Sequence, residues 1–91
     1  MKKEMTLVRS ILAMWKLEEL NSHNKIFKED IIFDYDNENK VLNLYTTKPG
    51  ALIGVKGAHI ENLSKRIKKA NIEGISSDLK KININEIKNY V

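Results

Sequence analysis

Four consecutive residues, Gly54-Val55-Lys56-Gly57, have the types and the spacing to hold a phosphate. Glycines let a backbone approach a ligand closely, because no Cβ stands in the way. The N–H groups of such a loop, and those at the start of a helix that follows it, are free to donate to phosphate oxygens. Lys56 adds a cation at the same point, and Ile53 offers apolar surface beside it. A G-x-x-G tetrapeptide by itself is most often a plain helix break. This one gains specificity from its place after a strand and a Pro-Gly turn, and ahead of a basic helix and another strand.

Other chemistry finds less support. The two histidines, His23 and His59, fall in different elements, and no Cys or Asp/Glu cluster stands at ligand spacing around either, so no metal or cofactor is expected. His59 starts the basic helix and reads as an exposed bystander, with approach to a phosphate as the other reading. The acids Glu29, Asp30, Asp34, Asp36 and Glu38 gather around one hairpin and read as a solvated edge that keeps polyanions away from that side. A paired-carboxylate enzyme would need a cleft that so short a chain has little material to build. There is no Walker-type loop and no arguable Ser-His-Asp or Cys-His set, so a non-enzymatic protein is expected.

The 91 residues suffice for one core and one domain, 1–91, near the lower size at which apolar packing alone offsets chain entropy. Without cysteine there are neither disulfides nor zinc ribbons, and stability must come from packing. Glu4 and Arg9 interrupt any signal-peptide pattern after Met1-Lys2-Lys3, and no stretch reaches transmembrane length, so a cytoplasmic location is expected. Charge is unevenly spread. Residues 1–47 hold 7 Lys or Arg against 8 Asp or Glu, a net of −1, whereas residues 48–91 hold 9 against 4, a net of +5. Such asymmetry suits a face that meets a polyanion, a solvated lysine-rich surface being the plain alternative.

The elements that would position the loop follow from periodicity. Leu7, Val8, Ile11, Leu12, Trp15 and Leu20 recur at three- and four-residue spacing and predict an amphipathic helix over about 5–20, ended by Asn21-Ser22-His23-Asn24. Residues 31–35 and 41–46 predict a hairpin about the polar turn 36–40, with Leu42 and Leu44 on one face and Asn43 and Tyr45 on the other. Pro49 suits the first position of a short helical turn, 51–53. After the glycine loop a second amphipathic helix is predicted over 58–70, with Ile60, Leu63 and Ile67 inward and Lys65, Arg66, Lys68 and Lys69 mostly outward. A loop over 71–78 and a strand over 81–85, with Ile82 and Ile84 inward, complete the chain. The expected fold class is α+β, in the order α-β-β-α-α-β, with a three-stranded mixed sheet and helices packed on one face. The βααβ connection is long enough to make its two strands parallel.

Residues Thr47-Lys48-Pro49-Gly50-Ala51-Leu52-Ile53-Gly54-Val55-Lys56-Gly57, continuing into Ile60-Glu61-Asn62-Leu63, resemble the KH domain. The element order resembles the type II, or prokaryotic, form of that fold, with an extension helix and strand over about 5–35 and a core unit over about 41–88. The wording is similar to the KH domain of the third protein of the bacterial small ribosomal subunit, including a final strand like Lys81-Ile82-Asn83-Ile84-Asn85-Glu86-Ile87. The match is specific from about 41 to 88 and weak in the first helix. The resemblance implies binding of single-stranded RNA, less often DNA, with the loop gripping about four nucleotides. It implies that Gly54 and Gly57 shape the loop, Lys56 meets phosphate, and Ile53 forms part of an apolar groove wall. Lys65 and Lys68, on the following turns, and Lys80 and Lys81, at the last strand, would extend the charge. Val55 departs from the family, which usually carries a basic or polar residue there, and this implies one cation fewer and a lower affinity. The chain ends at Val91, where the ribosomal protein would continue, so a domain acting alone, as a dimer or as an adaptor is expected.

Trp15 reads most simply as core. With Met14 and Leu17 it could instead offer an apolar patch to a second copy or a protein partner. The rival to RNA binding is therefore a KH-fold protein-interaction module. A membrane-surface helix is disfavoured by Glu18 and Glu19.

Overall fold

The first helix, α1, is amphipathic by spacing, and in the computed structural model, which describes residues 2–21 and 31–87, it spans Lys2–Trp15. Val8, Leu12 and Trp15 form its buried side. Beyond Trp15 the helix widens into a π-turn, Lys16–Leu20, closed by the Asn21 N–H donating to the Lys16 carbonyl at 3.1 Å. The sequence predicts one regular helix to Leu20, and packing explains the difference. Five residues separate Trp15 from Leu20, and at 3.6 residues per turn that step would swing Leu20 away from the core. An i→i+5 turn brings it back, and Leu20 is buried. Ser22, His23, Asn24, Glu29 and Asp30, for which sequence readings were given, lie outside the described residues.

Strand β1, Ile32–Asp36, begins one residue later than the pattern predicts, and β2 is Val41–Thr46 as predicted. Asp36 makes the turn between them. One of its oxygens accepts from the Glu38 and Asn39 amides at 3.0 and 3.1 Å, the other from the Asn39 side chain at 2.8 Å. These bonds stabilise the ionised form and hold the Asp36 carboxyl below the usual aspartate value. β2 is central. It pairs antiparallel with β1 and parallel with β3, Lys81–Glu86, giving a mixed sheet in the order β1-β2-β3. The alternation in β2 is realised: Leu42, Leu44 and Thr46 are buried while Val41, Asn43 and Tyr45 are only partly so.

Helix α2, Pro49–Ile53, begins two residues earlier than predicted because Pro49 and Gly50 belong to it. Helix α3, Ala58–Ala70, has the predicted bounds. The core gathers Val8, Leu12 and Trp15 of α1, Leu42 and Leu44 of the sheet, Leu52 of α2, and Leu63 and Ile67 of α3. Ile82 and Ile84 pack against it but are half-buried, as an edge strand allows. The stretch after α3 is more than the expected loop. Asn71 ends α3 in the left-handed region, φ 54°, donating to the Ile67 and Lys68 carbonyls. Ile72 and Ile75 are buried there, and the Ser76 amide donates to the Ile72 carbonyl at 2.8 Å. In so small a domain the connection itself supplies core.

Candidate nucleic-acid interface

Backbone geometry makes the glycine loop. The Gly54 N–H closes α2 on the Gly50 carbonyl at 3.0 Å, and Gly54 turns with φ 77°. A tight 3-10 turn, Val55–Gly57, follows, in which Lys56 (φ 56°) and Gly57 (φ 76°) are both left-handed before α3 begins. Among the described residues the backbone N–H groups of Val55 and Lys56 have no hydrogen-bond partner. Val55 is 82% exposed. The loop is thus a tight turn with two free donors and one exposed lysine, and successive free N–H groups of this kind bind oxyanions elsewhere in proteins.

The two glycines are required for different reasons. A Cβ on Gly54 would stand 2.6 Å from Cγ of His59, whereas one on Gly57 would meet nothing within 4 Å. His59 is therefore not the exposed bystander its sequence position suggested. Its ring packs under Gly54 and its Nδ1 lies 3.0 Å from the Ala51 carbonyl. A carbonyl only accepts, so Nδ1 carries the hydrogen. The His59 carbonyl in turn accepts from Nε1 of Trp15 at 3.0 Å. Trp15, fully buried, is core and not surface patch, and it ties α1 to the stem of the loop.

Beyond Gly57 a groove of about 310 Å³ runs between α3 and β3. Ile60, Leu79 and Ile82 give it apolar walls, and Lys68, Lys80 and Lys81 give it cations, with Ser64 and Glu61 also lining it. β3 is held in place by its parallel ladder to β2, by the Lys80 N–H donating to the Lys40 carbonyl at 2.9 Å, and by the Ile87 N–H donating to Thr46 at 2.7 Å. Of the residues singled out by sequence, Gly57, Lys68, Lys80 and Lys81 come together around this groove, and Gly54, Val55 and Lys56 form the loop at its end. Two do not join it. Ile53, 39% exposed on α2, is not among its lining residues, the apolar walls being Ile60, Leu79 and Ile82 instead. Lys65 is not among the lining residues either and lies 3.6 Å from Glu61 as an exposed i,i+4 pair. Arg66, outside the groove, is occupied by Asn62 at 2.6 Å and Glu18 at 2.7 Å. The sequence reading missed Leu79, Ser64 and Glu61 as groove residues. The strict alternation of the last strand carried the only signal for Ile82.

Among the described residues no group of three or more His, Asp or Glu could hold a metal ion, and no helix is long and apolar enough to cross a membrane. Fold and groove together define a small α+β domain with a cationic, apolar-walled groove at a glycine loop. No family model, curated protein or solved structure matches the chain.

Proposed function

We propose that this chain is a type II KH-like domain that binds a short single-stranded stretch of RNA. The loop Gly54-Val55-Lys56-Gly57 takes the backbone, and the groove between α3 and β3 takes the bases. The observation that carries this reading is the convergence of a loop with free amides and of Lys68, Lys80 and Lys81 on one groove whose walls are Ile60, Leu79 and Ile82. Cations neutralise phosphates and apolar walls receive unpaired bases, so the two features in one place favour a single strand over a duplex. The order of helices and strands, with β2 parallel to β3 across the two intervening helices, is the order the sequence resemblance implies and supports the same reading. A cytoplasmic RNA is the natural ligand on this proposal.

The test is titration of labelled single-stranded RNA pools with wild type and with Val55→Asp/Lys56→Asp, which keeps both glycines and reverses the loop's charge, after matching circular dichroism spectra. Wild type binds and the double variant loses at least tenfold in affinity if the loop is the site. Equal binding by both, or by neither, removes the proposal.

A second reading has its own observation. Leu7, Met14 and Leu17 of the first helical segment are 51%, 47% and 65% exposed. Ile11 and Met14 line an open groove against Ala70 of α3, rimmed by Arg66 and Lys69. That apolar face fits a protein contact, whether with a second copy or another chain, and such a contact would be indifferent to the loop variant.

A further inference from the structure

One carboxylate lines a groove otherwise edged by cations. Glu61 sits in the first turn of α3, beside Ile60 and Ser64 and facing the same space as Lys68, Lys80 and Lys81. We infer that Glu61 is a specificity-determining residue: its carboxylate accepts hydrogen bonds from the Watson–Crick edge of one unpaired base and selects guanine at that position. This inference rests on the RNA-binding function proposed above.

Position, charge and availability each support it. Glu61 lies four residues past Gly57, about 6 Å along the helix from the loop. That distance is within reach of the base of a nucleotide whose phosphate sits on the Val55 and Lys56 amides. A carboxylate repels phosphate and can only accept hydrogen bonds, so a strand in the groove must turn a donor edge toward it. Guanine offers N1–H and N2–H₂ side by side, matching two oxygens in a bidentate pair. Cytosine and adenine offer one amino group next to a ring acceptor. Uracil offers N3–H between two carbonyl oxygens that face the carboxylate unfavourably. The bond Glu61 already makes does not compete. Its partner Lys65 is 3.6 Å away and both side chains are largely exposed, and a surface pair of this kind is weak. Ile60 and Ile82 line the same groove and offer apolar contact to the faces of the base.

The experiment measures the affinity of fluorescein-labelled octauridine, and of the same octamer carrying one central guanine, cytosine or adenine, for wild type and for Glu61→Gln. The exposed glutamine preserves the helix, and circular dichroism verifies the fold. DNA versions of the uracil and guanine octamers form a second arm. The expected result is roughly tenfold preference of wild type for the guanine octamer over octauridine. That preference is lost in Glu61→Gln, whose amide replaces one acceptor with a donor, and it persists in DNA. A wild type that binds all four octamers equally overturns the inference and leaves the binding function standing. So does a Glu61→Gln variant that keeps the guanine preference. If Glu61→Gln reduces only the difference between RNA and DNA, the carboxylate contacts the ribose 2′-hydroxyl and guanine selection is overturned. A wild type that binds no octamer overturns the binding function and this inference with it.

Discussion

At the scale of the residue, Gly54 and Gly57 differ although both have positive φ, Gly57 in the left-handed helical region and Gly54 with an extended ψ of 172°. Gly54 bears two constraints, its φ of 77° and the ring of His59 beneath it, and Gly57 bears only the first. Gly57→Ala is expected to cost about 1 kcal/mol, the strain of a left-handed alanine. Gly54→Ala adds a contact no real Cβ shows and is expected to cost about 3 kcal/mol or to reshape the loop. Urea denaturation of the two variants measures the gap, and equal losses would mean that His59 yields freely. Asp36 gives a pH signature. Its hydrogen bonds from Asn39 lower its carboxyl below the ordinary value, so the folded state binds that proton less readily than the unfolded chain. The stabilisation is present above the unfolded aspartate value and is lost as pH falls through the folded one. Stability measured against pH should show this acid-side loss in wild type and a smaller one in Asp36→Asn, which is uncharged throughout.

At the scale of the element, Trp15 and His59 join two segments that the sequence gives no reason to connect. The indole of α1 donates to the His59 main chain, and the His59 ring donates to α2, so α1, α2 and α3 meet at the base of the loop. Trp15→Phe keeps an aromatic ring but removes the donor and part of the volume. It is expected to cost about 2 kcal/mol, from the lost indole N–H bond and the smaller ring. Thermal unfolding checks the stability, and hydrogen exchange at the start of α3 checks the location. Unchanged exchange there would mean that α1 merely covers the core. The π-turn belongs to the same scale: a helix was legible from spacing, but the widening that returns Leu20 to the core depends on where the rest of the core lies.

At the scale of the whole molecule, the gathering of cations at one groove is the feature with measurable consequence. Three lysines from two elements, Lys68 of α3 and Lys80 and Lys81 at β3, ring it. For a single strand, the slope of log affinity against log salt is about −0.7 per neutralised phosphate. Lys68→Gln, in the groove, is expected to flatten that slope by roughly 0.7. Lys65→Gln, outside it and paired with Glu61, should leave the slope unchanged. Fluorescence anisotropy at several salt concentrations reads both, and equal slopes for the two variants would remove the distinction between groove and solvated face.

Local pattern by itself determined the bounds of β2 and α3, the inward faces of Leu42, Leu44, Leu63 and Ile67, and the break at Gly54 and Gly57. Alternation, helical periodicity and glycine punctuation are properties of neighbours in sequence, and these elements obey them. Tertiary structure alone decided that Lys68, Lys80 and Lys81 share a groove while Lys65 does not. It also decided that Leu79 and Ile82, not Ile53, wall that groove, that Ile72 and Ile75 turn a loop into core, and that His59 is a strut under Gly54. Each of these depends on the parallel docking of β3 beside β2 and on the angle at which α3 leaves the loop. Such contacts join residues distant in sequence, and no local spacing encodes them.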